Sequence, residues 1–327
     1  MVIIDGAIPS DYKECKNIEN IKKHGVWGKV NNTPSKMETN SLTCIMNILD
    51  VEDKFIPEGR AYLEALAINA RVDNTDLVMR CNNVIIQNDI LLSNDNSGIG
   101  NSIFSSKINN KVSLINMGTY KNLLVVKGYA KALGNINTYA PHENFGVELK
   151  KIMPFSKDKD LQNLFEELIK KGFYPWDESV SINLESFEDI HGLKGAIVGE
   201  TEIVRGIGEA LKMYVPKLNN CTADTDTDLI EKVNKTLELI NEYDFVLLHI
   251  NGADESAHRK NNKEKVEFIK KIDEVVINKI IKNISDEISL IVTSDHGTCS
   301  ETGKHINGLV DYYILNYKEE VKLWLKK

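Results

Sequence analysis

The sequence has no cysteine pair, no long apolar run and no excess of basic residues. Its five cysteines are odd in number and widely spaced, which is typical of reduced thiols in a cytoplasmic protein. No apolar run approaches the length of a membrane span, and the start lacks the basic end and long apolar region of a signal peptide, so no membrane partner is predicted. With a formal net charge of −8, no basic face favours nucleic acid as a partner.

The remaining composition is that of a folded globular protein. Hydrophobic residues make up 42% of the chain and charged residues 27%, which is ordinary for such proteins. A length of 327 residues favours one large domain with a smaller one. Because the chain is acidic, an anionic substrate requires local positive charge from metal ions or from a few arginines. Monomer and homo-oligomer both stay open.

Two short apolar runs, Phe245–Ile250 and Leu290–Thr293, read as buried strands of a parallel sheet. An aspartate and a histidine follow each run: Asp254 and His258 follow the first, and Asp295 and His296 follow the second. The carboxyl ends of parallel strands meet at one rim, where ligands bind. We expect the two strands to be adjacent, which would bring together oxygen and imidazole ligands suited to Zn or Mn.

A structural interpretation competes with a metal site. One Asp-His pair after a strand is more often a turn with a hydrogen-bonded histidine. Two such clusters, followed by His305 in a Gly-Lys-His loop, favour the metal site as a constellation. Asp5 ends another apolar run, Val2-Ile-Ile; Asp5-Gly6 alone is a turn signal, but on this rim it would add a further carboxylate.

Two other positions keep two interpretations each. Ser41 precedes an apolar stretch, 42–49, spaced as a short helix. It is either a helix N-cap, which serine favours, or a group that uses the free N–H groups and dipole of the helix start to stabilise an alkoxide and a bound phosphate. Arg60, before a helical pattern, is either a solvated loop cation or a phosphate clamp.

The sequence pattern changes between Asp76 and Ile190. Alternating strands there are separated by stretches rich in Asn, Ser and Gly, whereas the flanking parts alternate buried strands with amphipathic helices such as the one predicted over 263–283. The fold class is therefore α/β, with a doubly wound, mostly parallel sheet and an inserted, smaller α+β domain. The expected domains are 1–75 with 191–327, and 76–190 as the insert.

Motifs along nearly the whole chain resemble the cofactor-independent phosphoglycerate mutases of archaeal type, in the alkaline phosphatase superfamily. They are Asp5-Gly6, Asn40-Ser41, Gly59-Arg60-Ala-Tyr-Leu-Glu-Ala65, Arg80-Cys-Asn82, Asp254-Glu-Ser-Ala-His258, Ser294-Asp-His296 and His305. The resemblance implies an alkaline-phosphatase-like fold and two divalent metal ions, Mn or Zn, with Mg or Co also possible.

The same resemblance assigns roles to residues. One ion would be held by Asp254, His258 and His305, and the other by Asp5, Asp295, His296 and the hydroxyl of Ser41. Ser41 would be the nucleophile that carries the phosphoryl group. Substrate contacts would come from Arg60, Arg80, Asn82 and Arg205, with His142 a further candidate. The inserted domain would act as a substrate-binding lid.

The implied reaction interconverts 3-phosphoglycerate and 2-phosphoglycerate through a phosphoserine, without bisphosphoglycerate. Its substrate is thus a small phosphorylated acid. The chain departs from the family near the nucleophile, where Thr39-Asn-Ser-Leu42 replaces Pro-Gly-Ser-Asp, and in the insert, where Trp176-Asp-Glu-Ser179 replaces Trp-Gly-Gln-Gly. A phosphatase, phosphonate hydrolase or phosphotransferase acting on another small metabolite is the alternative. A non-catalytic metal-binding protein is a third possibility, which retention of Ser41 disfavours.

Overall fold

The computed structural model describes residues 1–93, 107–109, 111–319 and 321. The chain divides into two compact units, unit 1 (Met1–Ile56 with Leu184–Lys327) and unit 2 (Pro57–Asn183). The first part of unit 1 has short 3-10 helices at Pro9–Tyr12 and Asp53–Phe55. Its strands and helices are β1 (Val2–Ile4), α1 (Lys16–His24), β2 (Val26–Val30) and α2 (Ser41–Ile48).

Unit 2 is built mainly from antiparallel strands and one long helix. Its 3-10 helices lie at Ala130–Ala132 and Pro141–Glu143. The remaining elements are α3 (Ala61–Ala67), β3 (Leu77–Asn83), β4 (Ile85–Gln87), β5 (Ile90–Ser93), β6 (Lys107–Asn109), β7 (Val112–Asn116), β8 (Lys121–Val126), β9 (Ile136–Asn137), α4 (Leu149–Ile152), β10 (Phe155–Ser156), α5 (Lys159–Lys170) and β11 (Phe173–Val180).

The second part of unit 1 alternates strands and helices. A π-helical turn, Asp273–Ile277, separates two of its helices. The elements are α6 (Phe187–His191), β12 (Gly195–Val198), α7 (Glu202–Ala210), α8 (Leu229–Leu239), β13 (Phe245–Ile250), α9 (Gly252–His258), α10 (Asn262–Ile272), α11 (Asn278–Asn283), β14 (Leu290–Thr293), β15 (Gly297–Cys299), β16 (Lys304–Ile306) and β17 (Val310–Leu315).

The six-stranded sheet of unit 1 has the order β12-β13-β1-β14-β17-β2. The first four strands are parallel, and β17 and β2 are antiparallel additions at one edge. Every residue of β1, β12, β13 and β14 is buried, as expected where both faces of a parallel sheet are covered. The predicted α/β class with a mostly parallel sheet is confirmed. The expected adjacency of β13 and β14 is wrong, because β1 lies between them and brings Asp5 to the middle of the rim.

The long helix predicted over 263–283 is interrupted by the π-helical turn. Asp273, in that turn, accepts hydrogen bonds from the backbone N–H of Asn17 at 3.0 Å and of Ile18 at 2.9 Å. These groups open α1, whose own N-cap residue, Cys15, makes no side-chain cap bond. The irregular turn therefore points a buried carboxylate at a helix start distant in sequence, which satisfies N–H groups that lack a partner within α1.

The five-stranded sheet of unit 2 has the order β11-β3-β8-β7-β6. Helix α5 packs on one face through Leu161, Phe165 and Leu168. Ala61 and Ala65 of α3 pack with Val78 of β3 in a separate cluster. Because α3 is held by this sheet, unit 2 begins at Pro57 rather than at the predicted residue 76.

The other boundary also precedes the predicted residue 190, and unit 2 ends at Asn183. Phe187 of α6 stacks on Phe245 of β13 with ring centroids 5.0 Å apart, which ties this segment to unit 1. In the part of the chain that the structure describes, no helix is long and apolar enough to cross a membrane.

Candidate metal centre

Asp254, His258 and His305 form the first ligand group of unit 1. Asp254 and His258 lie one turn apart on α9, so their side chains share a face, and β16 supplies His305. His258 Nε2 lies 3.1 Å from Asp254 Oδ2 and 3.1 Å from His305 Nε2. One ligand atom from each of the three residues lies within 4.8 Å of the others. The predicted first group is thus brought together.

Contacts behind these histidines fix their ring orientation. His258 Nδ1 lies 2.8 Å from the carbonyl oxygen of Gly303, and His305 Nδ1 lies 2.8 Å from that of Thr39. A carbonyl only accepts, so each Nδ1 carries the proton that it donates. In the neutral rings both Nε2 lone pairs then face each other and Asp254, an arrangement that a shared cation stabilises and that is common behind metal-bound histidines.

A second group lies at the ends of β1 and β14, next to the first. Asp5, Asp295 and His296 are almost fully buried. His296 Nε2 lies 3.4 Å from Asp295 Oδ2 and 3.7 Å from Asp5 Oδ1. Three carboxylate oxygens of this group, Oδ1 and Oδ2 of Asp295 and Oδ1 of Asp5, have no hydrogen-bond partner among the described residues. Buried carboxylate oxygens without donors are costly unless a cation compensates them, so the donor set fits a divalent ion.

The electrostatics of the two groups differ. Burial raises the pKa of Asp5 well above its usual value, and the neighbouring Asp295 and Asp254 raise it further. Burial also acts to raise the pKa of Asp254, but the hydrogen bond and charge of His258 outweigh it and hold that pKa below its usual range. A hydrogen bond to Asp254 raises the pKa of His258 to about 9. Asp5 and His258 therefore hold protons more strongly than usual at the positions where metal ions would bind.

Gly6 permits the close approach of the β1 rim to α9. Its φ of +72° lies in the left-handed region, and a Cβ there would stand 2.8 Å from Asp254 Cα. Any other residue would combine backbone strain with a steric clash. The Asp5-Gly6 turn thus places one carboxylate directly beside the helix that carries another.

Ser41 is the first residue of α2, and Asn40 is the N-cap. The Asn40 side chain accepts from the Thr43 backbone N–H at 3.0 Å, so the N-cap interpretation of Ser41 is wrong. The hydroxyl of Ser41 lies 3.3 Å from His296 Nε2 and 3.4 Å from Asp5 Oδ2. Its side chain is directed at the second ligand group.

His249 is a member of the centre that sequence reasoning missed. It is buried within β13, its Nε2 lies 3.1 Å from Asp5 Oδ2, and it forms a possible ligand group with Asp5 and Asp295. The contact lacks hydrogen-bond geometry, since neither ring nitrogen has a hydrogen-bond partner among the described residues. Burial lowers its pKa to about 4, which keeps the ring neutral. The sequence shows it only as a histidine in an otherwise apolar strand, a feature that ordinary burial explains equally well.

The predicted substrate contacts fall in both units. Arg205 lies on α7 of unit 1, with its Nη1 3.9 Å from Glu200 Oε1. The other four lie in unit 2 around Trp176 and Glu64. The Arg80 guanidinium lies 4.3 Å from the Trp176 ring, and Trp176 Nε1 donates to Asn82 at 3.0 Å. His142 meets the same ring edge-on, and Arg60 Nε donates to Glu64 at 2.7 Å.

Solved structures share this fold. The PH0037 protein from Pyrococcus horikoshii superposes with a TM-score of 0.78 at 20% identity, covering 96% of this chain and 86% of that one. The cofactor-independent phosphoglycerate mutase from Thermoplasma acidophilum superposes with a TM-score of 0.57 at 18% identity, covering 96% and 89%.

Curated relatives match most of the sequence. The 2,3-bisphosphoglycerate-independent phosphoglycerate mutase 1 of Methanocaldococcus jannaschii is 24% identical over 92% of this chain and 81% of its own. The corresponding mutase of Thermococcus gammatolerans is 25% identical with the same coverage. The resemblance inferred from the motifs is thereby confirmed. The Metalloenzyme superfamily model matches residues 7–323, and the chain belongs to that superfamily.

Proposed function

We propose that the chain is a 2,3-bisphosphoglycerate-independent phosphoglycerate mutase that transfers the phosphoryl group through Ser41 at a centre of two divalent ions. The observation that carries the proposal is the position of the Ser41 hydroxyl, at the start of α2 and 3.3–3.4 Å from His296 and Asp5. The curated relatives, which are phosphoglycerate mutases by name, support this substrate, and the superfamily supports metal dependence.

The proposed ligands are Asp254, His258 and His305 for one ion, and Asp5, Asp295, His296 and Ser41 for the other. His249 is a further ligand candidate beside Asp5. When bound, the ions neutralise phosphate charge and lower the pKa of the serine hydroxyl. Mn or Zn suits the mixed carboxylate and imidazole donors.

Ser41 acts as the nucleophile in the proposed sequence. Its hydroxyl gives up a proton, and its Oγ forms a bond to phosphorus as the ester bond to the glycerate oxygen breaks. The released glycerate oxygen takes up a proton. The other glycerate hydroxyl then loses its proton and attacks the phosphoserine, which frees Ser41. The dipole at the start of α2 stabilises the added negative charge.

Unit 2 is the proposed substrate-binding lid. Arg60 and Arg80, with Asn82 and His142 nearby, would bind the glycerate part of the substrate, and Arg205 of unit 1 would contribute a further positive charge. A guanidinium suits a carboxylate because it donates two parallel hydrogen bonds. Exclusion of water by a lid would protect the phosphoserine from hydrolysis.

The test is a coupled assay with 3-phosphoglycerate and added Mn, without bisphosphoglycerate, beside a phosphate-release assay. Formation of 2-phosphoglycerate without free phosphate supports the mutase. Release of phosphate from esters with no 2-phosphoglycerate would instead favour the hydrolase alternative.

Mass spectrometry of protein quenched during turnover should find phosphate on the peptide that contains Ser41. The Ser41→Ala protein should form no 2-phosphoglycerate, release no phosphate and carry no phosphate on this peptide, while it still binds metal. Elemental analysis of the wild type should find two divalent ions per chain. His258→Ala should lose one of them, and active protein without any such ion would reject the metal centre.

A further inference from the structure

One buried threonine lies between the two ligand groups of unit 1. Thr298 is the middle residue of β15 and is completely buried. Its hydroxyl donates a hydrogen bond to Oδ1 of Asp254, in the first ligand group. The same hydroxyl lies 3.4 Å from Nδ1 of His296, in the second group. One hydroxyl group therefore connects a proposed ligand of one ion with a proposed ligand of the other.

The direction of these two hydrogen bonds follows from their protons. A carboxylate that binds a metal ion is deprotonated and can only accept, so the Thr298 hydroxyl gives its one proton to Asp254. The contact with His296 then requires the ring nitrogen Nδ1 to carry a proton and to donate it to Thr298 Oγ1. In the neutral ring of His296 the lone pair is thus on Nε2, the nitrogen that a metal ion needs.

The backbone of Thr298 is fixed from two sides. Its N–H donates to the carbonyl oxygen of Gly6 at 2.9 Å, directly after Asp5. Its carbonyl oxygen accepts from Lys265 Nζ at 2.9 Å. Lys265 is fully buried on α10, and its Nζ lies 2.8 Å from Asp11 Oδ2. Because separating a buried ion pair leaves an uncompensated charge, this support holds the threonine in place beside the rim of β1.

Other buried threonines of unit 1 use their hydroxyls differently. Thr236 donates to the carbonyl oxygen of Lys232 at 2.9 Å, and Thr293 donates to that of Asp311 at 3.1 Å. Those hydroxyls satisfy backbone groups that the helix and the sheet already hold. The Thr298 hydroxyl instead contacts two side chains, whose orientation depends on such contacts.

For both ligands, Thr298 binds the atom that faces away from the ligand group. Asp254 gives Oδ1 to Thr298, while its Oδ2 lies 3.1 Å from His258 Nε2. His296 gives Nδ1 to Thr298, while its Nε2 lies 3.3 Å from the Ser41 hydroxyl. We propose that Thr298 is a positioning residue for both ion sites, whose single hydroxyl orients one ligand of each. The inference rests on the proposed function, because the two ions belong to it.

The test replaces the hydroxyl of Thr298 and measures metal binding to the full chain. Valine puts a methyl group of similar size in its place, and serine keeps it. Calorimetric titration of metal-free protein with Mn should find that Thr298→Val weakens both ions by about 10–100-fold, as loss of a partner that orients a metal ligand does. Thr298→Ser should bind both ions nearly as the wild type does.

The control variant is Thr236→Val, which also removes a buried hydroxyl and should keep both affinities. The visible absorption of bound Co depends on the geometry of its ligands, so the spectrum should change in Thr298→Val and be preserved in Thr298→Ser. A threonine that only stabilised the fold would lower the free energy of unfolding in Thr298→Val and leave the affinities and the spectrum of the folded protein as they are.

A second measurement needs only the wild type. Nitrogen-15 NMR of histidine-labelled, Zn-loaded protein should find a proton on Nδ1 of His296, with the signals assigned by comparison with His296→Asn. A deprotonated Nδ1 would overturn the inference, as would wild-type affinities for both ions in folded Thr298→Val. A wild type that binds no ion would overturn the metal centre together with the inference. None of these readouts is a turnover, so a failed mutase assay rejects the proposed substrate without mimicking any of them.

Discussion

His249 is the residue whose role the structure adds to the metal centre. Its ring lies 3.1 Å from Asp5 at the edge of the second ligand group. We predict that His249→Asn weakens binding of Mn by about 10–100-fold, as loss of a metal ligand or of a residue that orients one does. Calorimetric titration of metal-free protein measures the change. His191→Asn, which alters a histidine of α6 instead, should leave the affinity as it is; an unaltered affinity in His249→Asn would exclude the role.

Asp177 also predicts how stability depends on pH. Its pKa in the folded protein is raised by burial to about 6, above the unfolded value of about 3.9, so ionisation of this group destabilises the fold. The penalty is present above pH 6 and disappears as the pH falls below the unfolded value. Asp177→Asn should therefore be more stable by roughly 1–2 kcal/mol at about pH 8, after allowance for partial solvent exposure. Urea unfolding should find that the difference has vanished at about pH 3; a gain that persists there would contradict the assigned cause.

Individual ligands could be predicted where their chemistry stands out from the local pattern. Asp254 and His258 follow an apolar strand in a polar run, and one turn of helix puts them together. His249 could not be singled out the same way, because a histidine inside an apolar strand is compatible with ordinary burial. Only the pairing of Ile3 with His249, which brings β1 beside β13, reveals that it meets Asp5.

At the start of α2, two neighbouring residues have different roles, one in capping the helix and the other in the proposed reaction. Asn40 is the cap and Ser41 faces the ligand group. Asn40→Ala should lower the free energy of unfolding by about 1 kcal/mol, because the Thr43 N–H loses its acceptor. Ser41→Ala should change it far less and abolish turnover. Denaturant titrations of both variants measure this; a larger loss of stability in Ser41→Ala than in Asn40→Ala would reverse the assignment.

Element boundaries followed the sequence where the apolar pattern was local and regular. The strands Phe245–Ile250 and Leu290–Thr293 begin and end as predicted. The helix over 263–283 was predicted without its π-helical turn, because the need for that turn lies elsewhere, in the uncapped start of α1. A partner 255 residues away in the chain leaves no trace in a local hydrophobic pattern.

At the scale of the whole molecule, the two units should respond differently to metal. All proposed metal-binding residues lie in unit 1. An ion that binds only the folded state stabilises that state by about 2.7 kcal/mol when its concentration is a hundredfold above Kd. Scanning calorimetry with and without EDTA should therefore move one transition and leave a second, from unit 2, in place. His258→Ala should reduce the shift. A single transition that moves as a whole would show that the units unfold together.

The change of sequence pattern along the chain indicated an insert, but its limits required the packing. Ala61 and Ala65 carry no signal that assigns α3 to one sheet or another, and the contact with Val78 decides it. The same holds for Arg60 and Arg80, which were singled out one by one while their common partner, Glu64, was not.

The central position of β1 has a consequence for biosynthesis. This strand, only three residues long, pairs with β13 on one side and β14 on the other, so its two partners are both available only once residue 293 has been synthesised. At ribosomal rates of about 5–20 residues per second, the delay is on the order of 15–60 s. Unit 2, which is continuous in sequence, can fold meanwhile. Val2, Ile3 and Ile4, which are buried in the folded protein, therefore stay outside their complete sheet for most of synthesis.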